Sequence, residues 1–277
     1  MVKKVNMWSW NNGCDACTQL AKALDIKKIL KEGSNFVGNP DKVIVNWGSS
    51  KPSAEVMKCK IINKPDAVKR SINKISFFQT VGDKARTVPW TTARANAFAW
   101  GTKVVCRTKV EGREGDGILI YTPQECVGSP PEGFWGWLAT TLAPQVFASV
   151  ASNMGLPEAK LYTQFIKAQE EYRVHVIDGD IVAVHRKVQK DGAIGGGDVK
   201  NTANGWLFKR TSHYPGDVGR QGVQATKALG LDFSAVDVIW DGSKAWVLET
   251  NTAPGIDGMT WTIEQYRIGL KKLIDKA

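Results

Sequence analysis

Hydrophobic and polar positions along this chain follow two alternating periods. Residues 2–8 and 43–47 are short apolar runs of strand type, and residues 14–30 repeat apolar side chains at helical spacing through Ala16, Leu20, Ala23, Leu24 and Ile29. A strand, a glycine-rich loop and a strand follow over 103–121, then a strand over 161–166 and a hairpin made of 172–177 and 181–188. Residues 142–154 carry a helical pattern, as do 219–229. A closing amphipathic helix is predicted over 260–274, through Ile263, Tyr266, Ile268, Leu270 and Leu273. The mixture predicts an α/β fold with α+β character, as one large domain or two to three subdomains around a cleft. Loops 11–13 and 48–50 fall at strand ends, where open α/β sheets place ligands, although short linkers read the same way.

The stretch 235–255 breaks its own pattern. Two apolar runs, AVDVIW and KAWVLE, flank a turn at Asp241-Gly242-Ser243, and each contains a carboxylate, Asp237 and Glu249. A carboxylate in a buried strand is costly unless paired, hydrogen-bonded or metal-bound. Glu249 and Asn251 share a face because side chains alternate along a strand. Asp237 joins them if the loop has three residues, which places it opposite Val247 and diagonal to Glu249. Two carboxylates and an amide oxygen form a hard, all-oxygen set suited to magnesium, or manganese, carrying phosphates. Solvated edge carboxylates are the bland alternative.

The hairpin over 172–188 has a second such pattern. Across a three-residue turn at Asp178-Gly179-Asp180, Val174, Val176, Val182 and Val184 share one face. Arg173, His175, His185 and Lys187 share the other, with Glu171 at its end. That row is either solvated or a site. Between 103 and 121, glycines 112, 115 and 117 allow backbone to fold over phosphates, with Arg107 or Lys109 for charge. The run lacks the Gly-Lys-Ser/Thr ending of a P-loop and a following helix, so neither a Walker site nor a dinucleotide turn fits.

Composition narrows the classes. A chain of 277 residues with 43% hydrophobic and 23% charged residues is of ordinary globular type. An N-terminus without an apolar h-region, and no run of about eighteen apolar residues, argue against secretion and membrane spanning. Five cysteines, at 14, 17, 59, 106 and 126, are an odd and dispersed set that suits a reducing cytoplasm. Cys14-x-x-Cys17 has no second pair to complete a zinc site, so a helix start is the expected reading. A net charge of +10 favours acidic partners, nucleic acid among them, through steering. No recognised nucleic-acid module accompanies it, and the eleven tryptophans read as packing.

Order along the chain adds a resemblance. Asn73-Lys74, the glycine-rich hairpin, Tyr162-Thr-Gln-Phe-Ile-Lys, Glu171-Tyr-Arg-Val, Asp237, Glu249-Thr-Asn251 and Thr252-Ala-Pro-Gly resemble the ATP-grasp carboxylate–amine ligases. D-alanine:D-alanine ligases, bacterial glutathione synthetases and the ligases that add glutamate to ribosomal protein share this order. The resemblance implies an ATP-grasp fold, a small N-terminal α/β domain (1–72) plus two α+β subdomains, a central lid part (73–158) and a metal-bearing part (159–277), holding ATP between them. It implies ATP contacts at Lys74, Arg107, Gly115, Gly117, Gln164, Phe165, Ile166 and Glu171, and Mg²⁺ (or Mn²⁺) at Asp237, Glu249 and Asn251. Arg173, Lys187, Asn204 and Arg210 would act on the transferred phosphate or the reacting carboxylate. The chain departs from the pattern where Arg107 replaces a usual lysine, and where Arg113, Glu114 and Asp116 replace small loop residues. The implied reaction activates a carboxylate donor as an acylphosphate that an amine acceptor (an amino acid, a peptide or a protein tail) then attacks. Two rivals are a phosphotransferase on the same fold and a basic nucleic-acid-binding protein.

Overall fold

A computed structural model describes residues 4–111, 116–123, 155–191 and 204–277. Contacts group the chain into two units. The first comprises Met1–Arg86, Gln169–Lys187 and Phe208–Ala277, and the second Thr87–Ala168 and Val188–Leu207.

The first unit opens with a parallel sheet of β1 (Lys4–Ser9), β2 (Lys27–Ile29), β3 (Lys42–Trp47) and β4 (Lys60–Ile62), in the order β2-β1-β3-β4. Helix α1 (Asp15–Ala23) follows β1 and buries Ala16, Cys17, Leu20 and Ala21. Cys14 is its N-cap, so the Cys-x-x-Cys pair does sit at a helix start. The helical pattern expected over 14–30 ends early. Asp25 takes a left-handed φ of 53°, and residues 27–29 pair with β1 instead. The apolar spacing reaching Ile29 therefore belongs to a strand that buries it.

Short helices α2 (Ala54–Met57), α3 (Pro65–Ile72) and α4 (Lys74–Val81) follow. Asn73 ends α3 and caps α4, its side chain accepting the Ser76 N–H at 3.0 Å. This cap fixes Lys74 as the first residue of α4.

The second sheet has the order β11-β10-β9-β12-β13, built from β9 (Glu170–Ile177), β10 (Asp180–Gln189), β11 (Trp206–Arg210), β12 (Phe233–Trp240) and β13 (Ala245–Asn251). Helix α6 (Gly216–Leu229) covers one face so closely that a Cβ on Gly222 would lie 2.9 Å from Val174. Helix α7 (Thr260–Lys276) covers the other, where Tyr266 and Leu270 join Ile177 and Phe233. Met7, Val43, Val45 and Trp47 of the first sheet enter the same core, with Trp47 stacked on Phe233 at 5.4 Å. Asn63 ties the sheets together: its Nδ2 donates to Phe233 O at 2.8 Å, and its Oδ1 accepts from the Asp232 and Phe233 N–H groups.

The turn between β9 and β10 has two residues, not the expected three. Asp178 and Gly179, at φ 56° and 84°, make the mirror-image turn favoured by strand twist. A β-bulge between Ile181 and Ala183 then adds the missing residue, so His185 still pairs with Arg173 and Val184 with Val174. Val182 leaves the Val174 face and packs into the core under α7.

In the second unit, β5 (Trp90–Thr91), β6 (Val104–Arg107), β7 (Ile118–Tyr121) and β8 (Leu161–Gln164) form an antiparallel sheet in the order β5-β8-β6-β7. Helix α5 (Arg94–Ala99) packs Ala97 and Phe98 against Val104, Cys106, Leu156 and Tyr162. The helical pattern expected over 142–154 lies outside the described residues. Among the described residues, no helix is long and apolar enough to cross a membrane.

Candidate functional site

The β12–β13 hairpin has a four-residue loop, 241–244, rather than three residues. Asp241 builds it, its Oδ1 accepting the N–H groups of Ser243 (2.8 Å) and Lys244 (2.7 Å) while its Oδ2 accepts Trp246 Nε1. Trp240 pairs with Ala245 and Val238 with Val247, and an even loop alone would turn Asp237 toward the face of Leu248. A register shift between Asp237 and Val238 reverses this. Asp237 lies directly opposite Glu249, and Ala235 opposite Asn251. The expected partner Val247 is thus wrong, while the shared face of Asp237, Glu249 and Asn251 stands because a bulge re-aims the strand.

Three ion pairs gather on this face. Arg173, opposite Asp237 on β9, donates from Nε and Nη2 to its two carboxylate oxygens at 2.7 and 2.8 Å. Lys74 reaches Glu249 Oε2 at 2.5 Å from the start of α4. Lys187 on β10 pairs with Glu171 on β9. Burial pulls the Arg173 pKa down, but the charge and hydrogen bonds of Asp237, with Glu249 and Glu171 beyond, outweigh it and raise it above the ordinary value. Lys74, Glu171 and Asp237 are all buried. Charged groups of both signs kept out of water are costly, so each is held by a partner of opposite sign.

Phe208 on β11 completes the row. The Arg173 guanidinium lies 4.1 Å from its ring centroid and the Lys187 ammonium 5.1 Å. One ring thus serves two cations. Nothing in the sequence marked Phe208, which reads as an ordinary strand aromatic in Leu207-Phe-Lys-Arg.

The residues expected to hold magnesium fit that ion in kind. Asp237 and Glu249 supply hard oxygens, and Asn251 adds an amide whose Nδ2 is buried without a hydrogen-bond partner among the described residues. Rotating that amide presents its oxygen instead. Among the described residues, no three His, Cys, Asp or Glu side chains gather as a metal cluster.

Behind the row, His175 and His185 form a buried chain. Tyr266 Oη lies 2.9 Å from His175 Nδ1, His175 Nε2 lies 3.3 Å from His185 Nδ1, and His185 Nε2 lies 3.0 Å from Thr262 Oγ1. Burial pushes both histidines down, helped by nearby positive charge, His185 to about 4 and His175 well below its ordinary value. Both are neutral groups that orient α7 on the sheet. Arg210, expected near the phosphate, stacks on Trp261 at 4.5 Å. It lines a cavity of about 240 Å³ with His185, Phe208, Trp261 and Thr262.

The remaining expected residues belong to the second unit. Arg107 ends β6, and Gly117 precedes β7 at φ +74°, where a Cβ would come 2.8 Å from Thr108 Oγ1. Gly115 lies outside the described residues. Gln164 ends β8, and Phe165 donates its N–H to Lys103 O at 2.9 Å while Lys103 covers its ring at 5.0 Å. Ile166 is half-buried, and Asn204 is exposed just ahead of β11.

Known proteins share this architecture. The ligase PsnB, solved with a minimal precursor, is similar with a TM-score of 0.61 at 13% identity, covering 98% of this chain and 99% of that one. The D-alanine–D-alanine ligase of Bacillus anthracis is similar at 0.58 and 11%, covering 98% and 100%. This chain has the ATP-grasp fold. Residues 141–273 match the RimK-like ATP-grasp domain, and the resemblance to ATP-grasp carboxylate–amine ligases is borne out. A probable alpha-L-glutamate ligase of Maridesulfovibrio salexigens is 24% identical over 219 residues, 76% of this chain and 65% of that protein. One from Psychromonas ingrahamii is 25% identical over 216 residues, 74% of this chain and 63% of that protein. The chain thus spans just under two thirds of the length of these relatives.

Proposed function

We propose that the protein is an ATP-dependent carboxylate–amine ligase that forms an amide through an acylphosphate, releasing ADP and phosphate. The observation that carries this is the bulge that sets Asp237 opposite Glu249, beside Asn251, with Lys74 and Arg173 on the same two carboxylates. In this reading the parts act as an N-terminal domain (1–72), a lid-bearing subdomain (73–158) and a metal-bearing subdomain (159–277). Lys74, Arg107, Gly115, Gly117, Gln164, Phe165, Ile166 and Glu171 receive ATP.

Asp237, Glu249 and Asn251 hold magnesium, which when bound neutralises phosphate charge. Nucleotide phosphates offer Lys74 and Arg173 new anionic partners, and those two cations then steady the charge developing on the transferred phosphoryl group. Lys187 stays on Glu171, which orients the ribose end. Asn204 and Arg210 meet the substrate, whose carboxylate suits the cavity wall at Arg210. A free carboxylate cannot expel oxide when an amine attacks, and phosphorylation supplies the better leaving group. The protein's share is position and charge, with no covalent nucleophile of its own.

The donor acid and the amine are an amino acid, a peptide or a protein tail, and the net charge of +10 favours acidic ones. None of the relatives named above is a phosphotransferase. The test is a screen of acids with amino acids, peptides and oligonucleotides for stimulated ADP release, followed by product mass. A product heavier by the acid minus water supports the ligase. A stable phosphorylated product or tight salt-sensitive oligonucleotide binding without ATP turnover contradicts it.

A further inference from the structure

The cavity beside the charged row combines large apolar walls with a single charge. His185 and Thr262, each 2% exposed and 3.0 Å apart, form its buried side, and Phe208, Met259 and Trp261 line the rest. Phe208 also carries Arg173 and Lys187 on its ring, so the cavity adjoins the Asp237–Glu249 site, and all of these residues belong to the first unit. At about 240 Å³ the cavity is smaller than the ~300–1,000 Å³ of a complete small-molecule site. It has room for one group of a ligand.

Two of the lining residues are unlike their kind elsewhere in the chain. Trp261 is 44% exposed, the one large aromatic among the described residues left so open, although an indole contributes most when it is covered. Arg210 lies on that ring at 4.5 Å, whereas Arg86, Arg173, Arg186, Arg220 and Arg267 each pair with a carboxylate. A guanidinium held over a ring keeps N–H donors for an anion, and a carboxylate matches them in pairs. Burial keeps His185 neutral, so Arg210 is the one charged residue among those lining the cavity. A dicarboxylate would find no second cation there.

We propose that this cavity selects a substrate with a single carboxylate on an aromatic or bulky apolar body, the carboxylate meeting Arg210 and the body lying against Trp261, Phe208 and Met259. The proposal rests on the ligase reading and deepens it by naming the substrate class. Trp261 is then a specificity-determining residue, exposed because the substrate covers it.

The test titrates the full chain, without nucleotide, against hydrocinnamate, its uncharged amide, and glutarate, which has two carboxylates and no ring, with binding read by ligand-observed NMR. Hydrocinnamate should bind about tenfold or more tighter than either comparator. Its affinity should fall about fivefold or more in Trp261→Ala and about tenfold or more in Arg210→Gln, while Trp261→Phe keeps most of it. Both side chains are exposed, so circular dichroism should be unchanged in all three variants. L-Phenylalanine and glycylglycyl-L-phenylalanine, titrated alongside, tell a free acid from a peptide end by which binds tighter. No binding of hydrocinnamate, equal or tighter binding of either comparator, or unchanged affinity in either Trp261→Ala or Arg210→Gln would overturn the proposal. Amide formation without hydrocinnamate binding would refute this proposal alone, and hydrocinnamate binding with a stable phosphorylated product would refute the ligase reading alone.

Discussion

Arg173 is the residue on which the charged row depends, because it is bound to Asp237 by two hydrogen bonds and stacked on Phe208 at once. Replacing Asp237 by Ala leaves a buried guanidinium without its partner. Urea unfolding of that variant should show a loss of about 3–5 kcal/mol, whereas Glu249→Gln, which keeps an amide oxygen to accept from the buried Lys74 ammonium, should cost less. Glu249→Gln is therefore the cleaner probe of function. Phe208→Leu keeps apolar bulk but removes the ring that serves Arg173 and Lys187. A cation–π contact contributes about 0.5–2 kcal/mol, so Mg-ATP should bind roughly 2-fold to 30-fold more weakly, and Phe208→Trp should restore it. Titration calorimetry would read both. Asp237 and Glu249 were legible in the sequence because ions in apolar strands demand a reason, whereas Lys74 and the role of the Glu171, Arg173 and Lys187 row entered through the resemblance. Phe208 was not, since an aromatic in a strand carries no sign of what lies over its ring.

At the scale of elements, two bulges decide which side chains meet. Both hairpins have two- or four-residue loops, and in each a one-residue shift restores the face that an odd loop would have given. The apolar pattern could show that Asp237 and Glu249 needed each other. It could not place the shift, because Leu248 is equally at home in a pleat or a bulge. Loop length was hidden for a different reason: Asp241 folds the chain through its own carboxylate, so Lys244 reads as strand but serves as turn. Asn73-Lys74, by contrast, entered only through the resemblance, and the structure shows Asn73 capping α4.

The His175–His185 chain gives an element-scale prediction. Both folded-state pKa values lie below the ordinary 6.5, so the unfolded chain takes up protons first as pH falls. Stability should be complete above about pH 6.5 and decline toward pH 4, with His185 alone accounting for on the order of 3 kcal/mol by the lower limit. Denaturation midpoints at neutral and mildly acid pH check this, and His185→Gln should flatten the slope.

At the scale of the whole molecule, the order of parts along the chain was the most legible feature, because each motif keeps its chemical sense whatever lies between. The grouping into two units was less so. Residues 73–86 join the first unit through contacts with α6 and β13 made by Arg86, which donates to Asp217 and Ala245, and no local pattern announces such distant partners. A ligand that binds only the folded state stabilises it by about 2.7 kcal/mol at 100 times its Kd. Saturating Mg-ATP should therefore raise the melting temperature by about 5–10 °C for a chain of this size, and Glu249→Gln should abolish most of that rise.

The most direct test of the ligase account follows one oxygen atom. Once the donor acid is identified, its carboxylate is labelled with ¹⁸O and the phosphate released during amide formation is analysed by mass. If ATP phosphorylates the carboxylate and the amine displaces the phosphate, one labelled oxygen leaves in each phosphate. Unlabelled phosphate formed alongside the amide would contradict the account.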